Sequence, residues 1–510
     1  MARVHPESLS RLTMEDIIEE TGWGLYSKVM VGVTSACAFC QAVAILALCL
    51  ALPLAMCDSF MNESTVLTVN LCFFLGRAIG GFILNSMSDI TGRLWLLPNS
   101  LLVIFCSAFL AAFSHSGSSL SVALFILGSG LEANIRASKI HLAEILPKNK
   151  RGFYFIIPSF FWSVGYILMI GCGWKLSQHV IVEHRGTEMK LTAWRLLFAI
   201  AGGCNILVAC ITALVQPSPR YRLLMKQYTL ANLSLKLFYS INKSKYSETW
   251  PLREEDITGI ISDFQINTER RPLNCTEQMR LLLRRMFKTV CLLFKRRFII
   301  TTTGLILVRI LFFFGIVPVH LLMTKTLLIQ NSTCEISGYD LFHLYRPVDK
   351  DCKLRTNMVF FPTFLLLAPN IMLGQLFILH LVDHIGRRLI IVFGSFLCAI
   401  TASALTYWDM DLFFWNQQFY IKIVFCAIFL IGYSIVQHTL EIIETEAFPT
   451  VARGTAAGIV SFYPNFIFCV VCTVWYMSCG VTYISLGLIF AISILVTYFL
   501  PELRRLPMVE

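Results

Sequence analysis

The chain has 510 residues, of which 56% are hydrophobic and 14% charged, with a formal net charge of +11 and a mean hydropathy of +0.69. Soluble globular domains carry about 25% charged residues, so this composition excludes that class and points to a membrane protein. No phosphate-loop sequence, clustered metal ligands or nucleophile motif stands out, which speaks against an ATP-driven pump or an enzyme and calls for no cofactor. Residues 1–30 are polar and acidic, and the apolar segment after them is too long for a signal-peptide core. Within them, Thr13 and Asp16 of "TMED" have capping-box spacing, which predicts a short amphipathic helix on the cytosolic face.

Twelve apolar segments follow, each long enough to cross a hydrocarbon core of roughly 30 Å as a helix. They cover 31–53, 65–84, 95–113, 120–141, 153–173, 194–215, 298–322, 357–379, 389–407, 419–440, 455–477 and 482–500. The predicted class is an all-α polytopic membrane protein with twelve transmembrane helices in two six-helix repeats. The expected units are a cytosolic leader (1–30), an N-terminal bundle (31–216), a cytosolic central loop with short helices (217–297), a C-terminal bundle (298–500) and a cytosolic tail (501–510). Lys and Arg concentrate in the loops that this topology places inside, so the positive charge reads as positive-inside orientation and not as nucleic-acid binding. Within the central loop, "RLLLRRMFKTVCLLFKRR" (280–297) is basic and amphipathic. It fits a helix on an anionic membrane surface, or a solvated linker with helical turns.

Two charged phrases occur once in each half. Asp89, Gly92 and Arg93 form D-x-x-G-R after the second span, and Asp383, Gly386, Arg387 and Arg388 repeat it after the eighth. Glu144 with Arg151 forms E-x-x-P-x-x-x-R-G after the fourth span, and Glu446 with Arg453 repeats it after the tenth. The two intervals between copies are nearly equal, which argues for a duplicated six-helix unit. Gly permits a tight turn with positive φ, and the acids can pair with Arg residues and helix ends of neighbouring loops. These loops are therefore expected to form a gate that latches the two halves on the cytosolic side.

Charges inside spans are costly and face a partner or a cavity. Arg77 lies mid-span and is the residue most readily assigned to a solute. Glu132, Arg136 and Lys139 share one face of the fourth span, and His438, Glu441 and Glu444 share one face of the tenth. Arg309 lies in the seventh. Lys139 and Glu441 occupy equivalent repeat positions with opposite charge, so an ion-pair network such as Lys139–Glu441 is one reading. Contact with solute is the other, and for Lys139 and Glu444 so is snorkelling at a helix end. Trp162 either lines the pathway or packs between helices.

Most of the 18 Cys lie in apolar spans, where they read as small hydrophobes. Cys334 and Cys352 share an outside loop and are disulfide candidates. Asn331 in that loop and Asn62 in the first outside loop are glycosylation candidates, while Asn232, Asn242 and Asn274 match the same signal on the cytosolic side.

These motifs resemble the major facilitator superfamily over the whole chain. D-x-x-G-R is its most specific signature, and E-x-x-P-x-x-x-R-G, "QPSPRY" (216–221) and "LPEL" (500–503) resemble its sugar-porter and organic-ion branches. "TMEDIIEETGWGLYSK", "FFWSVG" (160–165) and "AWRLL" (193–197) are similar to the synaptic vesicle glycoprotein and synaptic vesicle 2-related branch, of which this looks like a divergent member. The resemblance implies a secondary transporter of a small organic solute, with a membrane location at the cell surface or in a secretory or synaptic-type vesicle. Asn85 and Leu379 stand where the motif usually opens with Gly. Gln41 and Ala44 stand at the branch's first-span acids, Pro217 at a loop Glu, and a position near Phe125 at a fourth-span Arg. These departures leave a second function open: a membrane protein of vesicle or surface that kept the fold without transport. Arg77, Arg136 and Arg309 lean toward an anionic or zwitterionic solute, against the pull of Glu132, Glu441 and Glu444. Solute and lipid are the expected partners, and nothing implies an oligomer.

Overall fold

The computed structural model describes residues 13–55, 61–179, 181–182, 191–252, 275–328, 335–337, 360–409, 415–471, 476–504, 506 and 508. A leader helix α1 (Met14–Thr21) opens at the expected capping box: Asp16 N–H donates to Thr13 Oγ1, and Thr13 N–H donates to Asp16 Oδ2. Its Met14, Ile17 and Ile18 pack on Leu235, Tyr239 and Trp250 of the central segment. Six long helices follow: α2 (Leu25–Ala55), α3 (Glu63–Thr91), α4 (Arg93–Ala112), α5 (Gly117–Ile145), α6 (Arg151–His179) and α7 (Ala193–Thr212). The central segment forms α8 (Pro219–Leu224), α9 (Tyr228–Lys243) and α10 (Cys275–Leu293). Six more complete the chain: α11 (Ile299–Leu328), α12 (Phe360–Leu381), α13 (Arg387–Asp409), α14 (Trp415–Glu446), α15 (Arg453–Val471) and α16 (Cys479–Thr497).

The twelve expected spans correspond to α2–α7 and α11–α16. Eight of the described helices are long and apolar enough to cross a membrane by length and composition alone. Several run past their apolar windows. The fifth and fourteenth helices continue to Ile145 and Glu446, because the charges that end the apolar pattern are paired inside the protein and the helical backbone needs no water there. The only strands among the described residues are two short antiparallel ladders in loops, β1 (Ile181–Val182) with β2 (Leu191–Thr192), and β3 (Glu335–Ser337) with β4 (Tyr476–Ser478).

The duplication is visible in the packing. In the first half α3 packs on α5, α4 on α5 and α7, and α2 on α6 and α7. In the second half α12 packs on α14, α13 on α14 and α16, and α11 on α15 and α16. Each pair has its counterpart in the other repeat. Each half buries its own apolar cluster. Across the seam, α3 packs on α15 and α12 on α6, again a symmetric pair. A third cluster closes that seam, with Ala143, Phe155 and Ile156 against Ile378, Val382, Ile435 and Ile442.

Candidate functional site

The motif loops meet on one face of the seam. Gly92 and Gly386 have φ of +100° and +106°, a conformation costly for any residue with a Cβ. Gly92 ends one helix and starts the next within a single residue, and Gly386 closes a short turn before α13. Asp89 lies at the start of α15, where it accepts from Gly454 N–H at 2.9 Å, Thr455 N–H at 2.7 Å and Thr455 Oγ1 at 2.8 Å. Arg93 of its own motif donates from 3.0 Å. A carboxylate at a helix N-terminus also gains from the helix dipole. Asp383 occupies the equivalent place at the start of α6, accepting from Phe153 N–H at 3.0 Å. The Gly of each R-G pair makes this approach possible, since a Cβ on Gly454 would stand 2.8 Å from Asp89 Oδ1, and one on Gly152 2.1 Å from Asp383 Oδ1.

The Glu and Arg residues of the same motifs form a second layer. Glu144 pairs with Arg93 and with Arg453 of the other half, both at 3.2 Å. Glu446 pairs with Arg387 at 3.2 Å and with Arg151 of the other half at 3.8 Å. All six side chains are almost fully buried. Arg388 turns away and donates to Leu500 O. The motif residues thus pair across the halves, and each motif Asp binds a helix terminus and not only an Arg.

The charged residues inside the helices meet between the halves. Glu132 accepts from Arg77 at 2.7 Å and from Arg136 at 2.9 Å. Arg136 reaches across to Glu444 at 2.7 Å, and Arg309 donates to Glu444 and to Gln437. Lys139 pairs with Glu441 across the seam. His438 lies 3.2 Å from Glu441, 3.1 Å from Ser159 Oγ and 3.1 Å from Gln375 Nε2. An amide nitrogen only donates, so Nε2 of His438 accepts and Nδ1 is left to donate to Glu441 or Ser159. Snorkelling does not describe Lys139 or Glu444, which are buried and paired across the halves.

This network walls a cavity of about 230 Å³ to which α2, α3, α5 and α6 contribute from one half and α11, α12, α14 and α15 from the other. Those eight helices are equivalent in pairs, so the cavity straddles the repeat axis. Arg77, Arg136, Lys139, Arg309, His438 and Glu441 line it, whereas Glu132 and Glu444 sit behind the wall. Trp162 does both things open to it: it lines the cavity and lies 5.6 Å, ring to ring, from Tyr166. The guanidinium of Arg77 lies 5.9 Å from the rings of both Phe73 and Phe74. Nη2 of Arg309 is buried without a hydrogen-bond partner among the described residues.

Asn62 is exposed and begins α3 at the end remote from Asp89. Asn232 is buried, and Asn242 is bonded to Gly22 O and Ser27. Asn331, Cys334, Cys352 and Asn274 lie outside the described residues.

Sequence reading missed the neutral polar part of the wall. Gln41, at the place of a first-span acid, donates to Asn134 at 2.7 Å and Ser138 at 3.3 Å. Gln375 accepts from Ser163 at 3.1 Å. Uncharged side chains in apolar spans carry a weak signal, although Gln437 beside His438, and Asn134 and Ser138 between Glu132 and Lys139, mark the same stretches of helix. Glu15 of the leader was missed as well. It accepts from Arg151 at 2.7 Å, pairs with Arg220 at 3.0 Å, and accepts from Met508 N–H at 3.0 Å. Burial pushes its carboxyl up, but Arg220 and Arg151 outweigh that and hold it at about 2, below the usual 4.5.

Two repeated halves of like orientation, with shared motifs on one face and a cavity on their common axis, define a class of membrane transporter fold. The sequence model of the Major Facilitator Superfamily matches residues 34–471, and the chain belongs to that family, as a multi-pass membrane protein. Among curated relatives it is similar to synaptic vesicle glycoprotein 2B of Mus musculus, 27% identical over 230 residues, which is 45% of this chain and 34% of the relative. Synaptic vesicle glycoprotein 2A of Rattus norvegicus is 22% identical over 229 residues, 45% of this chain and 31% of the relative. The matched region thus spans about a third of those relatives' length. Among solved structures, the fold is similar to the proton:xylose symporter XylE, with a TM-score of 0.64 at 14% identity over 95% of this chain and 98% of that one. The human organic anion transporter MFSD10 follows with 0.55 at 11% identity, over 92% and 99%.

Proposed function

We propose that this chain is a secondary transporter that moves a small organic solute by alternating access of its two halves, with an anionic or zwitterionic solute bound in the central cavity. The observation that carries this reading is the cavity's placement and charge. It straddles the axis between the halves, where rocking would expose it to either side. Arg77, Arg136, Lys139 and Arg309 supply four positive charges and Glu132, Glu441 and Glu444 three negative ones, leaving one positive charge in excess. Arg309 also has a donor to spare. Aromatic rings at Trp162 and Phe313 give the same space apolar walls. The latched motif face belongs to the state closed on that side, and the orientation read from the loops makes that side cytosolic.

The test is uptake of a broad solute panel into proteoliposomes, with and without a pH gradient. Accumulation of carboxylates or zwitterions, lost in Arg77→Gln, supports the reading. Uptake confined to cations or uncharged sugars overturns the solute class. A second reading has its own observation: every carboxylate of the network is already paired, and Gln41 stands where a first-span acid would serve coupling. A protein that kept the fold without transport would show no uptake of any panel member while remaining folded and correctly inserted.

A further inference from the structure

The central helix α10 carries an exposed face that a soluble surface does not explain. Between residues 275 and 297 the chain has seven Lys or Arg and a single Glu. One side of α10 is seated, with Leu293 buried and Val290 and Leu292 packed against the apolar cluster of the second half. Leu283 is nonetheless exposed by 59% and Phe287 by 70%, in line with the half-seated Val290, and Phe294 continues the row at 38%. Exposed cations accompany that row one residue away, at Arg284, Lys288 and Lys295, with Arg280 one turn earlier. The spacing of three to four residues makes a single stripe along the helix. Large apolar groups interleaved with cations suit one environment in particular, the boundary between acyl chains and anionic headgroups. The helix ends where α11 enters the bundle, and it packs on both α3 and α15. Those are the two helices joined by Asp89.

We propose that α10 is an interfacial helix that binds the anionic lipid surface on the motif side and, through its seat on α3 and α15, steadies the seam between the halves. Leu283 and Phe287 enter the headgroup boundary, while Arg284 and Lys288 meet lipid phosphate and carboxylate. Anionic lipid then favours the conformation in which α10 rests across the Asp89 latch. This inference is independent of which solute the cavity takes.

The test is amide hydrogen exchange of the full-length protein in nanodiscs of pure phosphatidylcholine and of a phosphatidylcholine–phosphatidylserine mixture. Anionic nanodiscs should slow exchange over 275–293 by roughly thirty-fold when two cations are engaged. The Gly454 and Thr455 amides should slow with them, and high salt should erase the difference. Arg284→Gln with Lys288→Gln should abolish the dependence on phosphatidylserine. Leu283→Ser with Phe287→Ser, a pair on the same exposed stripe, should weaken it while leaving the cations in place. Equal exchange in both lipids overturns the proposal. So does a lipid effect that survives the double Gln variant. Slowing in neutral nanodiscs by soluble phosphoserine or an acidic peptide, with none from phosphatidylserine membranes, would assign the stripe to a different partner and overturn it as well.

Discussion

The two copies of the gate motif hold the halves together with unequal grip. Asp89 receives two backbone N–H groups, a hydroxyl and a guanidinium, and is 1% exposed. Asp383 receives one backbone N–H, its Arg387 stands off at 3.6 Å, and its Oδ1 has no hydrogen-bond partner among the described residues. One residue accounts for the missing hydroxyl. After the R-G pair comes Thr455 in one half and Phe153 in the other, and phenylalanine has no hydroxyl to give. The weak side is reinforced from outside the repeat. Glu15 holds Arg151, and Glu502 accepts from the N–H groups of Arg387 and Arg388, each at 3.0 Å. The strong side has Pro217 in place of such a Glu, and Tyr221 fills the role by bonding Ile90 O at 2.7 Å and lying under Arg93. The two copies of one motif thus carry unequal loads, and the weaker one is tied to the leader and the tail.

The largest effect should come from the buried ties that cross the seam. Asp89→Ala leaves the first N–H groups of α15 without their acceptor and takes from Arg93 one of its two carboxylates, which for a broken buried pair costs about 3–5 kcal/mol. Exchange of the Gly454 and Thr455 amides should rise by two orders of magnitude or more. Asp383→Ala should raise exchange at Phe153 by far less, at about 1.5–3 kcal/mol for one charged hydrogen bond. Equal responses would break the comparison. Lys139 and Glu441 serve as the control on the axis itself, where neither half is favoured. Lys139→Ala and Glu441→Ala should each cost about 3–5 kcal/mol, and the charge swap should restore much of it. A double-mutant cycle reads that coupling directly, and a coupling of zero would mean that the two side chains do not hold the seam together.

A smaller effect sharpens the comparison. Thr455→Val removes only the extra hydroxyl and should lower the strong latch by about 1 kcal/mol, visible as faster labelling, from the motif side, of a cysteine placed in the cavity. Phe153→Thr should move the weak latch the other way by a similar amount. The smallest effect is a pH response. The carboxyl of Glu15 sits at about 2 when docked, against 4.5 when free. A depressed value adds stability above the free value, and that stability is lost as pH falls between 4.5 and about 2. Limited proteolysis of the leader should therefore be unchanged from pH 7 to 5 and rise only below 4.5. Release at pH 6 would mean that another group controls docking.

Much of this was legible in the residues because charge in an apolar chain has few places to go. The twelve spans and the repeat follow from periodicity and cost, and the pairing of Lys139 with Glu441 was one of the readings that cost left open. The capping box at Thr13 reads directly from its spacing. The binding of Asp89 to the start of α15 does not, since backbone N–H groups leave no mark in a sequence and the partner lies more than half the chain away. The roles of Gln41, Gln375 and Asn134 were hidden because a neutral amide among apolar residues looks the same whether it faces lipid, a helix or a cavity. Glu15 looked like one acid among several in an acidic leader, and only the fold turns it toward Arg151 and Arg220.

That carboxylate has a mechanical consequence. Glu15 lies before the first span and Met508 after the last, and one oxygen of Glu15 accepts from the backbone of Met508 while the pair holds Arg151. The polypeptide is thereby fastened into a belt around one face, with Glu15 as its buckle. Rigid bodies inside a closed belt cannot splay on that side by more than its slack. Any separation of the halves on that face must therefore break the bond between Glu15 and Met508 along with the seam itself.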